Sequence, residues 1–112
     1  MLWQDADDPP AAYEAAGRGA PVLFLQGRFA DGSLWAPVAE VLSGRYRTVR
    51  VRLQQAASRG ANARPAEAVM ALMDRLGFPS AHLISHGTRW STIAEVAVRH
   101  PSRARSLTLV YP

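Results

Sequence analysis

The chain has 112 residues, 48% of them hydrophobic, with no cysteine and a formal charge of +4. That length supports one domain with a real core, and the missing thiols exclude a disulfide scaffold, a cysteine nucleophile and a thiolate metal site. All 13 basic residues are arginines. Without zinc-finger spacing, a basic heptad region or an aromatic RNA-binding motif they read as a dispersed, solvated surface, and nucleic acid is not expected as a partner.

The first ten residues, MLWQDADDPP, are acidic and broken by proline, the opposite of a secretory signal. Residues 1–10 are expected to form a flexible N-terminal segment ahead of a single domain over residues 11–112. No apolar run approaches the ~20 residues needed to cross a bilayer. The expectation is therefore a soluble, cytoplasmic chain with no membrane partner.

Residues 21–25, PVLFL, form a short continuous apolar run between Ala20 and the pair Gln26-Gly27. That pattern predicts a strand buried on both faces, as in a parallel sheet. Residues 34–42 carry apolar side chains at helical spacing, with Ser33 as N-cap, Pro37 in the first turn and Gly44 as a stop. Residues 46–53 return to strand chemistry, Val49, Val51 and Leu53 alternating with Arg50 and Arg52.

Residues 54–64 have no periodicity. Residues 65–76 predict a helix that opens on Pro65, lays Val69, Leu72, Met73 and Leu76 along one face and stops at Gly77. A strand over 81–85, a helix over 92–100 ended by Pro101, and a last strand from Ser106 to Tyr111 complete the order. Strands alternating with helices through short connections predict an α/β fold: a mostly parallel sheet with helices on both faces, a three-layer sandwich.

The residues also resemble a family. Tyr13-Glu14, the run from Gly17 to Gly27, Trp35-Ala36-Pro37-Val38-Ala39, Leu76-Gly77, Ala81-His82-Leu83-Ile84, and Arg99-His100-Pro101 followed by Arg105-Ser106-Leu107-Thr108-Leu109 together look like the N-terminal half of an α/β-hydrolase. The resemblance covers nearly all of residues 11–112 and implies a truncated form of that fold. It also implies where chemistry would sit. The family's Gly-x-Ser-x-Gly turn falls on Ser85, His86, Gly87, Thr88 and Arg89, so the nucleophile position holds Gly87, which has no oxygen to attack with.

The neighbours do not replace it. Ser85 lies two residues earlier on the strand, roughly 6–7 Å along the chain, and fits its position as a small packing residue. Thr88 is placed to cap backbone N–H groups, and Arg89 is larger than the family's glycine. Where the family reads His-Gly, this chain reads Gln26-Gly27-Arg28. Backbone N–H groups of Arg28 or Phe29 and of Thr88 remain candidates for an oxyanion hole.

The loop after the second apolar strand has lost the family's glycines and acid, with Gln54-Gln55-Ala56-Ala57 in their place. The resemblance places the acid and histidine of the triad beyond residue 112. Asp74 and Glu95 read as surface charges. His82, His86 and His100 read as structural, because four residues of strand span about 13 Å and cannot share a metal ion.

Neither a metal nor a cofactor is expected. The expected function is an α/β-hydrolase-like protein without nucleophile, acid or base, and with little or no hydrolase activity alone. Two alternatives stand beside it. The last strand leaves an apolar edge at Leu107, Leu109 and Val110 that would pair with a second copy or a complementary chain. A helix N-terminus behind the turn, with Arg28 and Arg89 nearby, would hold a small anionic ligand; the bland reading is that both arginines point into solvent.

Overall fold

The computed structural model describes residues 4–5, 11–26, 34–53 and 65–110. In chain order the elements are β1 (Gln4–Asp5), β2 (Ala11–Ala16), β3 (Ala20–Leu25), α1 (Ala36–Leu42), β4 (Tyr46–Leu53), α2 (Pro65–Leu76), β5 (Ala81–His86), α3 (Trp90–Arg99) and β6 (Ala104–Val110). Single 3-10 turns, Gly87–Arg89 and Pro101–Arg103, lead into α3 and β6. The unperiodic stretch 54–64 lies outside the described residues.

The six strands lie in the order β1-β2-β4-β3-β5-β6. β4, β3, β5 and β6 run parallel, and β2 pairs antiparallel with β4 over Ala11↔Leu53 to Ala16↔Thr48. β3 is central, flanked by a strand on each side and by helices above and below, and Leu23, Phe24 and Leu25 are wholly buried. This is why its sequence is a continuous apolar run and not an alternating one.

Side-chain alternation splits the core in two. Leu23, Leu25, Val49, Val51 and Leu83 face α2 and α3, where Val69, Leu72, Met73, Ile93 and Val96 meet them. Val22 and Phe24 face α1, against Ala39, Trp35 and Leu42. Each fully buried aliphatic or aromatic side chain here contributes about 1.5–3 kcal/mol.

Handedness dictates which helix takes which face. The chain steps from β3 to β4 in one direction, then from β4 across to β5 and on to β6 in the other. Right-handed crossovers therefore put α1 on one face and α2 with α3 on the opposite one.

Neither the two-residue β1 nor β2 was legible from periodicity. β2, AAYEAA, is made of residues that favour helix or are indifferent, and its pairing with β4 decides its conformation. The Glu14↔Arg50 pair in that ladder is joined by a 2.8 Å ion pair, with Arg50 only 5% exposed. Arg50 thus departs from the solvated surface expected of the arginines. Beyond β2 the chain turns at Gly17, whose φ is +79° and where a Cβ would lie 2.3 Å from the Tyr46 carbonyl oxygen. Only glycine fits so tight an approach.

The helix boundaries also shift. α1 begins at Ala36, with Leu34 and Trp35 in a turn, because Trp35 at the N-cap makes no side-chain cap. The expected cap, Ser33, lies outside the described residues. Pro37 does sit in the first turn, where its missing N–H is harmless. α3 begins at Trp90, two residues before the periodicity starts, because the 3-10 turn feeds directly into it.

Arg103 locks the far end of the sheet. Its guanidinium donates to the Pro79 carbonyl at 2.6 Å, the Phe78 carbonyl at 2.8 Å and the Asp74 carboxylate at 2.8 Å. The turn before β6 is thereby tied to the end of α2. Among the described residues no helix is long and apolar enough to cross a membrane.

Candidate functional site

The topology marks a site before any residue is considered. β3 hands the chain to one side of the sheet and β5 hands it to the other, so their C-terminal ends diverge. In open parallel sheets the crevice at such a switch point is where ligands bind. Here it lies between Gln26, just past β3, and His86-Gly87, at the end of β5.

The β5 side is a sharp elbow. His86 is still extended, at φ −128° and ψ 136°, and Gly87 then swings to φ +65°. The turn is closed by the Trp90 N–H donating to the Gly87 carbonyl. L-residues adopt such positive φ only under strain, about 1–2 kcal/mol, whereas glycine takes it freely.

Comparison with known proteins decides the fold. No family model matches the chain. It is 27% identical over 116 residues to "Putative carbamate hydrolase RutD" of Azorhizobium caulinodans, covering 98% of this chain and 44% of that protein. It is 32% identical over 115 residues to the dihydrolipoyllysine-residue acetyltransferase component of the acetoin cleaving system of Cupriavidus necator, covering 96% and 31%. It superposes with a TM-score of 0.84 on MGS-MChE2, an alpha/beta hydrolase enzyme from a lagoon-sediment metagenome, at 14% identity, covering 97% of this chain and 51% of that one.

The chain has the α/β-hydrolase fold. It spans 44% and 31% of the two curated relatives' lengths. In an α/β-hydrolase the strand-to-helix elbow presents a serine hydroxyl at its tip, and here the residue at that tip is Gly87.

The structure brings some of the anticipated residues to this elbow and leaves others outside. Gly87 and the backbone of Thr88 and Arg89 form the turn itself. Arg28 and Phe29 lie outside the described residues. Arg89 is half-buried and engaged with neighbouring groups, so it does not simply point into solvent. Ser85 is wholly buried, and alternation with Leu83 turns it to the α3 face, away from the α1 side of the crevice.

The three histidines separate. His82 Nδ1 lies 2.7 Å from the Ser106 hydroxyl, with its ring edge-on to Tyr46 at 6.3 Å. His86 stands edge-on to Trp35 at 6.4 Å. His100 is exposed at the C-cap of α3. Asp74 is held by Arg103, and Glu95 pairs with Arg99 at 3.4 Å one turn along α3. Asp74 thus lies near the end of α2 and Glu95 in the middle of α3.

Two features escaped the pattern reading. Gln26 is only 4% exposed, and Trp35 packs its indole 5.4 Å from the Phe24 ring, within reach of His86. A glutamine ending a fully apolar strand was the sequence signal for the first. The second gave none, since an aromatic at helical spacing reads as core.

The elbow thus offers backbone N–H groups at the start of a turn, but no hydroxyl at its apex. Gly87→Ala is expected to destabilise the chain by about 1–2 kcal/mol in urea unfolding, with Gly87→Asn costing less because asparagine visits left-handed backbone. An alanine variant as stable as the native chain would contradict the positive φ at this turn.

Proposed function

We propose that this chain is an α/β-hydrolase-like protein without acyl-enzyme chemistry of its own, keeping the elbow as a binding crevice for molecules of the carbamate kind. The observation that carries this reading is the glycine at φ +65° in the position where the fold mounts its nucleophile. A nucleophilic mechanism needs an oxygen, sulfur or nitrogen there, and a hydrogen atom supplies none. Ser85, buried on the other face, does not substitute. The name of the Azorhizobium relative, a carbamate hydrolase, supports the substrate class.

The test is hydrolysis of p-nitrophenyl acetate and methyl carbamate by the purified chain, beside Ser85→Ala and His86→Ala. All three are expected to match the buffer rate. Clear turnover by the native chain that survives both substitutions would place a working site elsewhere.

A second reading is favoured by the edge of the sheet. β6 pairs with β5 on one side, no described strand lies on its other side, and Leu107 and Leu109 are 41% and 44% exposed. Parallel strands are ordinarily buried on both faces, and an open apolar edge recruits another strand. This edge would pair with a second copy or with a complementary chain. Light scattering over a concentration series should give the mass of two chains, returning to one when Leu107 and Leu109 are both changed to lysine. A native chain that stays monomeric at every concentration would end the homodimer reading.

A further inference from the structure

Gln26 is only 4% exposed, and among the described residues neither Oε1 nor Nε2 of its carboxamide has a hydrogen-bond partner. Polar groups buried in that way are costly and call for a partner. The Trp35 indole N–H is buried too, with no partner among the described residues. Both lie toward α1. Phe24 precedes Gln26 by one strand period and its ring is 5.4 Å from that indole. His86 follows the Leu25↔Ser85 pair of the β3–β5 ladder, which makes it the cross-strand neighbour of position 26, and it stands edge-on to Trp35 at 6.4 Å.

The Gln26 carboxamide, an acceptor and a donor, and the Trp35 N–H, a second donor, thus border the switch-point crevice on its α1 side, one a strand period from Phe24 and the other in ring contact with it. We propose that this crevice binds a small neutral molecule presenting an N–H beside a carbonyl, the edge of a primary amide, urea or carbamate. Gln26 Oε1 accepts the ligand's N–H while Gln26 Nε2 donates to its carbonyl oxygen, a closed two-bond pairing that satisfies both orphaned atoms. The Trp35 N–H donates to a remaining lone pair.

The chemistry discriminates. An ester has no N–H and leaves Oε1 unpaired. A carboxylate sets a negative oxygen against Oε1, so the small-anion alternative is disfavoured at this point of the crevice. The near-complete burial of Gln26 limits the ligand to a few heavy atoms. The proposal rests on reading the crevice as a binding site, and no bond of the ligand has to break.

The experiment uses the full 112-residue chain, labelled with nitrogen-15, and titrates methyl carbamate and acetamide against methyl acetate and acetate. The Gln26 side-chain amide and Trp35 indole signals are expected to move saturably with the two N–H-bearing probes. Methyl acetate and acetate should bind at least about tenfold more weakly, the worth of one or two hydrogen bonds. Gln26→Leu should abolish the response and raise Tm, because it removes an unpaired buried amide at nearly constant volume.

No saturable movement with either N–H-bearing probe, or equal binding of methyl acetate, would overturn the proposal. So would a lower Tm of Gln26→Leu with binding intact, which would make Gln26 a structural residue. If the leucine variant does not fold, the native titration decides alone. Release of methanol from methyl carbamate would sink the non-catalytic reading while leaving the binding result standing.

Discussion

The reversal of the backbone at Gly87 is the constraint from which the functional half of the molecule follows. A parallel strand must deliver its chain to a helix on one face of the sheet, and doing so within one residue takes a positive φ. Relatives of this fold accept strain there to hold a hydroxyl at the tip. This chain reaches the same geometry with glycine and no strain. The turn thus keeps its architecture with no side chain at its tip, and it holds local stability where a serine at that φ would give some up.

That turn is held in place by the central strand. β3 supplies the wholly buried wall against which both helical layers close, and its parallel pairing with β5 sets Gln26 beside His86-Gly87. Burial of the sheet is uneven. β3 lies under both layers, whereas β6 has its five middle residues exposed. The apolar surface at Leu107 and Leu109 and the orphaned amide at Gln26 are different kinds of incompleteness. In the readings proposed above, one takes up a strand and the other a small molecule with a donor and an acceptor side by side.

Much of this was readable in the residues. The continuous apolar run at 21–25 and the strand over 81–85 named the buried parallel strands, and the Pro65-to-Gly77 punctuation bounded α2 almost to the residue. The position of the elbow, and the glycine at its apex, could be read from the same runs. β2 could not, because Ala-Ala-Tyr-Glu-Ala-Ala has no strand period and is held by its partner through Glu14 and Arg50. Arg50 was hidden for the same reason: burial of a charge is set by a cross-strand neighbour 36 positions away, which local pattern does not reveal. Gln26 and Trp35 come together only when the strand order is known.

The functional reading turns on the proposal that Gly87 leaves the elbow without a reactive oxygen, and intact-mass spectrometry after exposure to a fluorophosphonate tests it most directly. Such probes add covalently to an activated hydroxyl and ignore an inert one. The native chain is expected to keep its unmodified mass, however long the exposure. A stoichiometric adduct that peptide mapping places within residues 83–92 would contradict the loss of nucleophilic chemistry.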